Sequence, residues 1–414
     1  MTGDPLVGPP PASVIPASII PVSIIVVSRH RPTELSFCLA AIRKQDHPNF
    51  ELVVVADPAT AAGIAVPGAK VVPFDEANIS AARNAGLAQA AGEIVAFIDD
   101  DAVAEPRWLS RLTAPFEDPE VAATGGFVIG RNGISFQWKA SAADRQGRST
   151  PLEVDPAAVT VLAGSPGRAI RTEGTNCAFR RAILAERGGF DPAYRFYLDE
   201  TDLNMRLAER GLKTAIVPRA RVHHGFAASA RRRADRTPTD LTEIGASQAV
   251  FLRRHAPMEE QAAALDRLRA EQAARAEKLR RRGRIDAAAK AHLLASLDRG
   301  IEAGLERPLS ALAPVRAAPP AFRRLAGGSG AVRHLCGWSW QARRLRAAAP
   351  DAEGAGTTLL ILFSPTTLFH RLRFTGTHWE QRGGLFGRSD RADPLFRFWT
   401  RKGRCAREAS RLDF

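Results

Sequence analysis

The chain has 414 residues, of which 45% are hydrophobic and 25% charged, so it is long enough for two or three domains with a substantial core. Its 58 lysine and arginine residues outnumber 44 aspartate and glutamate residues, and the resulting net charge of +14 favours anionic partners such as nucleotides, nucleic acids or acidic membrane surfaces. Four widely spaced cysteines without a C-x-x-C pair argue against zinc-knuckle and redox motifs, and no apolar run predicts a transmembrane helix.

The first residues are rich in proline, glycine and alanine, a composition that predicts a flexible N-terminal tail over residues 1–20. This tail carries no basic segment ahead of an apolar run, so a secretory signal is not expected. We therefore predict a cytoplasmic protein, which either stays free or attaches peripherally to the inner face of the cell membrane through basic surfaces.

From residue 21 onward, apolar strands alternate with helices. Strands are predicted at Val22–Val27, Phe50–Ala56, Lys70–Pro73 and Ile94–Ile98, and helices at Thr33–Gln45 and Ser80–Ala91. This alternation predicts an α/β fold with a mostly parallel sheet covered by helices on both faces. Ligands of such sheets bind beyond the carboxyl ends of the strands, which makes the polar residues there candidate site residues: Ser28, Arg29, Asp57, Asp99, Asp100 and Asp101.

The composition changes after residue 226, which sets the predicted domain boundaries. Residues 21–226 form the α/β domain, with a further helix at Glu200–Arg210. Residues 227–307 are rich in alanine, arginine and glutamate and predict a mainly helical extension. Residues 308–356, which begin with a proline- and alanine-rich stretch, are predicted to be linker-like, and residues 357–414 form a small C-terminal module with a strand at Thr358–Phe363.

Three consecutive aspartates follow the fourth predicted strand. Because side chains of an extended chain alternate between faces, Asp99 and Asp101 project to the same side. Two such carboxylates suit a hard divalent cation, Mg²⁺ or Mn²⁺, which prefers oxygen ligands and keeps positions open for phosphate. A solvated acidic turn is the alternative, and the position after a buried strand favours the metal site.

An acidic stretch, Asp199 and Glu200 followed by Asp202, opens the predicted helix at Glu200–Arg210. Acidic residues at a helix start are favoured by the helix dipole and by capping, which is the structural interpretation. The functional interpretation is a general base, since a helix N-terminus that faces the strand ends brings a carboxylate within hydrogen-bond reach of an acceptor hydroxyl.

Two further groups complete the set of candidates. His223 and His224 end an apolar stretch, and a neutral imidazole is able to complete a metal site, although histidine pairs are more often structural. Arg83, followed by Asn84, lies in a predicted helix near the strand ends, where a guanidinium suits a phosphate or base.

Taken together and in this order, these motifs resemble the family 2 glycosyltransferases of the GT-A fold. The resemblance covers roughly residues 20 to 226. Each stretch alone is weak evidence, whereas six in the correct order and spacing are strong. The matching stretches are Pro21–Arg29, Leu52–Asp57, Ala81–Gly86, Phe97–Asp101, Gly174–Arg180 and Asp199–Leu203.

The resemblance implies an inverting enzyme that transfers a sugar from a nucleotide-diphosphate donor, commonly a UDP-sugar, to a glycan or lipid-linked acceptor in polysaccharide or glycoconjugate synthesis. It implies that Asp99, Asp101 and His224 hold Mn²⁺ or Mg²⁺, with His223 as the near alternative to His224. Glu200 takes the position of the family's base, with Asp199 and Asp202 as alternatives. The implied nucleotide-binding residues are Ser28, Arg29, Asp57, Arg83, Asn84, Asp99 and Asp100, and the implied sugar and acceptor pocket comprises Gly174, Thr175 and Asn176.

Two other functions compete with this one. A sugar nucleotidyltransferase also uses aspartates at strand ends, but it needs a glycine-rich loop after the first strand, where this chain has Ser28–Pro32 without glycine. A nucleic-acid or anionic-surface binding protein is suggested by the net charge and by the triplets Arg231–Arg233 and Arg280–Arg282. Such runs are more often solvated helix faces, so no specific nucleic acid is expected as a partner.

Overall fold

The computed structural model describes residues 20–225, 229–315, 319–350, 356–412 and 414. The predicted N-terminal tail, residues 1–20, lies outside the described residues apart from Ile20. The elements up to residue 224 are β1 (Val22–Ser28), α1 (Pro32–Ile42), β2 (Phe50–Ala56), α2 (Pro58–Ala62), β3 (Lys70–Pro73), α3 (Ile79–Gln89), β4 (Ile94–Asp99), β5 (Ala102–Ala104), α4 (Trp108–Thr113), β6 (Val121–Ile129), β7 (Phe136–Trp138), β8 (Ser141–Asp144), β9 (Ser149–Pro151), β10 (Thr160–Ala163), β11 (Arg168–Arg171), β12 (Cys177–Arg180), α5 (Arg181–Glu186), α6 (Asp199–Ala208) and β13 (Lys213–His224).

A single ten-stranded sheet organises this part of the chain. Its main path runs β10-β13-β6-β12-β4-β1-β2-β3, with β5 paired to β13 and β7 paired to β6. The pairs β1–β2, β1–β4, β2–β3 and β6–β13 are parallel, whereas β12 is antiparallel to both of its neighbours. The predicted mostly parallel α/β sheet is confirmed.

The sheet is covered on both faces, as its continuous apolar strands predict. Every residue of β2 is buried. On one face of β1, Ile24 and Val26 pack in a cluster with α1, and on the other face Ile25 packs in a cluster with residues of α3. Burial on both sides makes the strand ends the place where polar side chains reach solvent.

The strand register gathers the predicted site residues at one edge of the sheet. In the parallel pair of β1 and β2, Ser28 lies opposite Ala56, the residue before Asp57. In the parallel pair of β1 and β4, Val27 lies opposite Asp99. Three neighbouring strands therefore end together, and the polar residues that follow them share one surface.

The chain continues with three helices, and this part confirms the predicted helical extension. Gly300 and Gly304 lie in the last of these three helices, close to the backbone of the first of the three. A Cβ atom at either position would lie within 2.3 Å of a backbone oxygen, which explains glycine at these positions. The helices are α7 (Thr242–His255), α8 (Met258–Arg281) and α9 (Ala287–Glu306).

The C-terminal part contains a four-stranded sheet in the order β14-β15-β17-β16, with parallel pairs β14–β15 and β15–β17. Its first strand and helix lie within residues 308–356, so the prediction of a linker throughout that segment is wrong there. The elements are β14 (Val332–Trp338), α10 (Ala342–Ala347), β15 (Thr357–Ser364), β16 (Arg371–Phe374), β17 (Trp379–Gly384) and α11 (Arg401–Leu412).

The earlier part of the predicted linker also packs against the main sheet. Leu325 is buried, and its backbone N–H donates to the carbonyl oxygen of Phe50 at 2.8 Å. The N–H of Arg323 donates to the buried carboxylate of Glu51 at 2.9 Å. The amino-acid sequence of this segment shows only its proline and alanine content, whereas the contact between Arg323 and Glu51 joins residues 272 positions apart.

The C-terminal module packs on the main sheet close to the end of β13. The ring of Trp379 lies 4.6 Å from that of His223, and the N–H of Leu372 donates to the carbonyl oxygen of Asn132 at 3.0 Å. Among the residues that the structure describes, no helix has the length and apolar character needed to cross a membrane.

Candidate metal and donor site

Asp99, Asp101 and His224 come together at the edge of the sheet, each with one ligand atom within 4.8 Å of the others. The short strand β5 is responsible, because it pairs with β13 and sets Ala102 opposite His224. This pairing brings the Oδ1 atom of Asp101 within 3.0 Å of the Nε2 atom of His224. The expectation from the sequence, two aspartates two residues apart and a distant histidine, describes the same group.

The donor set of this group fits a divalent cation. Two carboxylates and one imidazole leave room in the coordination sphere of Mn²⁺ or Mg²⁺ for phosphate oxygens. The Nδ1 atom of His224 lies 3.3 Å from the side-chain oxygen of Gln137. A proton donated from Nδ1 to Gln137 leaves the Nε2 lone pair available for a cation, which is the usual arrangement around a metal-binding histidine.

His223 is placed elsewhere. Its Nε2 atom lies 3.0 Å from the buried carboxylate of Glu105, and its ring packs on Trp379. Neighbouring residues of a strand point to opposite faces, so the strand that presents His224 to the two aspartates turns His223 away from them.

Asp100, the middle aspartate, points back into the protein. It accepts a hydrogen bond from Ser28 at 2.7 Å and forms an ion pair with Arg31 at 2.7 Å. Burial raises the pKa of Asp100 to about 7, against the opposing effect of Arg31. Ser28 and Asp100, both expected to bind nucleotide, thus bind each other, and Arg31 is a site residue that the sequence analysis missed.

Asp57 caps a helix at the same edge. Its carboxylate accepts hydrogen bonds from the N–H of Thr60 at 3.0 Å and from the N–H of His30 at 2.7 Å. Although burial acts in the opposite direction, these bonds lower the pKa of Asp57 to about 2. A groove of about 500 Å³ between α1 and α2 includes both His30 and Asp57. Arg29 lies farther out, half-exposed and paired with Asp75 at 2.7 Å.

Arg83 ties three parts of the site together from a buried position. Its guanidinium lies 3.4 Å from Asp99, forms a short ion pair with Asp199 and donates to the carbonyl oxygen of Gly174 at 3.2 Å. A Cβ atom at position 174 would lie 2.5 Å from this guanidinium, so a larger residue there would displace Arg83 from its present position. The guanidinium of Arg83 therefore connects the proposed metal-binding edge with the start of α6.

Helix α6 begins in a strained conformation. Tyr197 and Leu198 precede it with φ angles of 74° and 65°, in the left-handed region that residues other than glycine rarely adopt. Such strain is retained where the surrounding structure requires a particular geometry, often at functional sites. Here it presents Asp199 to Arg83 and places Glu200 beside it, while burial raises the pKa of Asp199 and Arg83 opposes that rise.

Asp202 lies in a different, buried network. Its Oδ1 atom is 2.9 Å from the Nε2 atom of His255 and accepts from the hydroxyl of Tyr194 at 3.3 Å, and its Oδ2 atom accepts from Arg206 at 2.9 Å. The Oδ1 atom thus joins α6 to residues outside the helix, while Oδ2 pairs with an arginine of the same helix. This placement suits a structural role and leaves Asp202 without a free oxygen for an acceptor.

Glu200 and Glu173, a glutamate that the sequence analysis did not identify, both contact the half-buried Arg171. Arg171 lies 3.4 Å from Glu173 and 3.7 Å from Glu200. Burial raises the pKa of Glu173 to about 8, with Arg171 opposing the rise and the carboxylate of Glu200 adding to it. The only signal in the sequence is that Glu173 directly precedes the Gly174–Asn176 motif.

The side chains of two asparagines that were expected to bind ligands form hydrogen bonds within the protein. Asn176 is fully buried, donates to the carbonyl oxygens of Phe127 and Ala220 at 2.9 Å, and accepts from the indole of Trp108 at 2.7 Å. Both of its amide hydrogens are used, so the predicted contact with substrate is not supported.

Asn84 likewise bonds the backbone of Phe190 in both directions, donating at 2.7 Å and accepting at 2.9 Å. This pair of bonds fixes α3 to the loop before α6, which is a structural role rather than the expected nucleotide contact. Thr175, by contrast, has a buried hydroxyl without a hydrogen-bond partner in the described structure, beside the carbonyl oxygen that Arg83 contacts.

Three curated proteins share part of this sequence. The chain is 32% identical over 123 residues to the glucosyl-dolichyl phosphate glucuronosyltransferase of Haloferax volcanii, which covers 28% of this chain and 34% of that protein. It is 30% identical over 150 residues to the pre-mycofactocin glycosyltransferase of Mycobacterium tuberculosis, covering 35% and 29%. It is 28% identical over 178 residues to the O-antigen biosynthesis protein RfbC of Myxococcus xanthus, covering 39% and 13%. The chain thus matches about a third or less of each relative's length.

Solved structures resemble the chain more weakly. A mannosyltransferase from Pyrobaculum calidifontis, in complex with GDP-Man and Mn²⁺, superposes with a TM-score of 0.41 at 18% identity, over 70% of this chain and 88% of its own. GalNAc-T7, with UDP, GalNAc and Mn²⁺, gives a TM-score of 0.43 at 16% identity, over 56% and 48%. At these low scores the assignment comes from the sequence family instead.

The model of the family described as "Glycosyltransferase like family 2" matches residues 20–237, a span that contains the main sheet, the aspartate–histidine group and helix α6. Because this match takes in more than half of the chain, the protein belongs to glycosyltransferase family 2.

Proposed function

We propose that this protein transfers a glycosyl group from a nucleoside-diphosphate sugar, a UDP-sugar by resemblance, to an acceptor hydroxyl with inversion of configuration. The observation that supports this most is the group of Asp99, Asp101 and His224, linked through Arg83 to the carboxylates that open α6. One end of this arrangement suits a metal-bound diphosphate and the other suits a proton acceptor. Family membership favours glycosyl transfer over the nucleotidyl transfer that strand-end aspartates alone would also permit.

In this proposal, Asp99, Asp101 and His224 hold Mn²⁺ or Mg²⁺, which supplies positive charge for the departing diphosphate. The nucleotide lies along the ends of β1 and β2, where the groove beside His30 and Asp57 offers space for a base. Arg83 holds Asp99 in position from behind, and Gly174 and Thr175 border the space for the donor sugar.

Glu200 is the proposed general base. Of the three candidate carboxylates, Asp199 is held by Arg83 and Asp202 by Arg206 and His255, whereas the contact of Glu200 to Arg171 is longer, at 3.7 Å. Glu200 takes the proton of the acceptor hydroxyl while the oxygen atom of that hydroxyl forms a bond to the anomeric carbon. The bond between that carbon and the diphosphate oxygen breaks on the opposite face, and its electron pair leaves with the nucleoside diphosphate.

We further propose residues 21–226 as the catalytic unit, with the helical extension 227–307 and the C-terminal module 357–414 supporting it. The acceptor is proposed to be a glycan or a lipid-linked glycan in polysaccharide or glycoconjugate synthesis. The names of two relatives, an O-antigen biosynthesis protein and a glucosyl-dolichyl phosphate glucuronosyltransferase, motivate this choice. A lipid-linked acceptor goes together with a cytoplasmic protein that works at the inner face of the membrane.

A panel of nucleotide sugars tests the proposal. UDP-, GDP- and dTDP-sugars are each incubated with the full chain, with Mn²⁺, with Mg²⁺ or with EDTA, and release of the nucleoside diphosphate is followed in the presence of candidate acceptors. We expect release from one nucleotide class only and only with metal, with inverted configuration of the product by NMR. Release of pyrophosphate from a nucleoside triphosphate and a sugar phosphate would instead identify a nucleotidyltransferase.

A further inference from the structure

Five large apolar side chains of the C-terminal module are exposed, and together we call them the apolar tip. Single exposed apolar residues are common on protein surfaces, whereas a contiguous group marks an interaction site. The exposed fractions are 64% for Leu368, 55% for Phe369, 75% for Leu395, 57% for Phe396 and 76% for Phe398.

The apolar tip is contiguous because the segment of Phe386 and Arg388 contacts both of the loops that carry the exposed side chains. The ring of Phe386 lies 5.7 Å from that of Phe396 and 5.6 Å from that of Phe398. The guanidinium of Arg388, two residues after Phe386, covers the ring of Phe369 at 5.3 Å. The loop that carries Leu368 and Phe369 thus lies next to the segment that carries Phe396 and Phe398.

Positive charge surrounds the apolar tip. Residues 365–402 contain eight arginine and lysine side chains but only three acidic ones. Of the acidic residues, Glu380 is buried in ion pairs with Arg346 and Arg373, and Asp393 is paired with Arg407. Residues 388–402, the segment that carries Leu395, Phe396 and Phe398, contain five basic and two acidic residues, so their net charge is positive.

We propose that the apolar tip inserts into the surface of a bilayer that contains anionic lipids. Phenylalanine and leucine side chains with arginines at their edges match the boundary between acyl chains and headgroups, where the apolar parts are buried and the guanidinium groups stay with phosphates. Anionic headgroups complement the surrounding positive charge. A second copy of this chain fits less well, because two copies of the same face would bring like charges together.

This surface lies beside the proposed active site. Arg391, four residues before Leu395 of the apolar tip, donates to the side chain of Ser135 at 3.2 Å, in the loop that leads to Gln137. Gln137 contacts His224 of the metal-binding group. A membrane bound at the apolar tip would bring a lipid-linked acceptor close to the donor, but insertion itself depends on no part of the nucleotide-sugar chemistry.

Vesicle co-sedimentation of the full chain tests the proposal, with vesicles of phosphatidylcholine alone or of phosphatidylcholine with a quarter phosphatidylglycerol. We expect binding to the anionic vesicles to be tenfold tighter or more, and to weaken as salt is raised. The double variant Phe396→Ser and Phe398→Ser is expected to lose about tenfold or more in partitioning. The matched control, Met258→Ser with Leu305→Ser, removes exposed apolar side chains of 84% and 45% exposure outside the apolar tip and should bind like the parent chain.

Equal binding of the Phe396 and Phe398 double variant and the parent chain to anionic vesicles would overturn the proposal, as would equal binding of the parent chain to neutral and anionic vesicles. A concentration-dependent dimer in light scattering that dissociates in the double variant would assign the surface to a second copy. Circular dichroism confirms that the variant folds. Nucleotide binding with and without Mn²⁺, measured in parallel, should be unchanged in it, so that failure of lipid binding and failure of the enzymatic proposal are distinguished.

Discussion

The edge of the main sheet and the apolar tip of the C-terminal module use charged residues in opposite ways. At the sheet edge, Asp100, Asp101 and Arg83 are almost completely buried, and each has a specific partner. At the apolar tip, Arg391 and Arg397 are exposed among phenylalanine and leucine side chains that are exposed as well. Burying a charge is costly unless it is paired, so the buried network at the sheet edge indicates that these charges are needed for the reaction. Exposed charges cost little, and they act through the net charge of the surface.

The two regions also differ in how much of their function depends on a single residue. Loss of a single buried carboxylate should disable the site, because its neighbours are left with uncompensated charge or without a cation. Loss of a single surface arginine should change little, because many neighbours carry the same charge.

The variant Asp101→Ala should lose the most. It removes one of two carboxylates from the proposed metal site and the contact to His224, so we expect turnover to fall by about a thousandfold or more. Initial rates at saturating donor and Mn²⁺ measure the effect. Asp155→Ala, at an exposed position outside the site, is the matched control and should keep the parent rate.

The variant Glu200→Gln should keep donor binding and lose transfer by about a hundredfold to ten-thousandfold, the usual range for a general base. Glu209→Gln, on the half-exposed end of α6, is the control. Turnover and nucleotide binding are measured on the same preparations. Full turnover by the Glu200 variant would move the base to Asp199 or Asp202. The variant Asp202→Asn is itself expected mainly to lower the melting temperature.

Glu173 should make stability depend on pH. Its pKa is raised to about 8 in the folded chain from an ordinary value of 4.5. Between these two values the unfolded chain binds fewer protons than the folded chain, so the free energy of unfolding should decrease as the pH rises, by on the order of 1 kcal/mol per pH unit. Urea unfolding of the metal-free protein at pH 5 and pH 8 measures this slope.

The variant Glu173→Gln should reduce that dependence, because glutamine does not ionise. Asp100 and Asp199, whose pKa values burial also raises, retain the remainder. Glu153→Gln, at an exposed position, should retain the slope of the parent chain. Identical slopes for the parent chain and the Glu173 variant would show that this carboxyl group titrates normally in the folded protein.

The double variant Arg280→Ala and Arg281→Ala should have the smallest effect. Both arginines pair with the half-buried Glu277 near the end of α8. Surface substitutions of this kind change the free energy of unfolding by about 0.5 kcal/mol or less. Thermal unfolding and nucleotide binding should match the parent chain, whereas a large loss of binding to nucleic acid would revive the alternative of a nucleic-acid binding protein.

Patterns within short stretches were predictable from the sequence. The alternation of apolar strands and helices predicts the parallel sheet, and the spacing of Asp99 and Asp101 predicts two carboxylates on one side. The resemblance selected His224 over His223, and the pairing of β5 with β13 supplies the physical reason. These features need only the periodicity of the chain and the rule that strand ends meet at one edge.

Features that depend on distant partners were not predictable. The strand β14 is mostly half-buried or exposed and exists because β15 pairs with it, so its sequence gives no strand pattern. Asn176 and Asn84 occupy positions that suit a ligand site, but their partners Trp108 and Phe190 come from other elements. Glu173 gains its unusual pKa only after folding buries it near Glu200.

Equilibrium binding of UDP to the full chain, by calorimetry with Mn²⁺ and with EDTA, tests the central claim most directly. If the aspartates and the histidine at the sheet edge bind a cation that in turn binds the diphosphate, UDP should bind with one site per chain in Mn²⁺ and at least about tenfold more weakly in EDTA. Equal affinity under the two conditions would contradict the account.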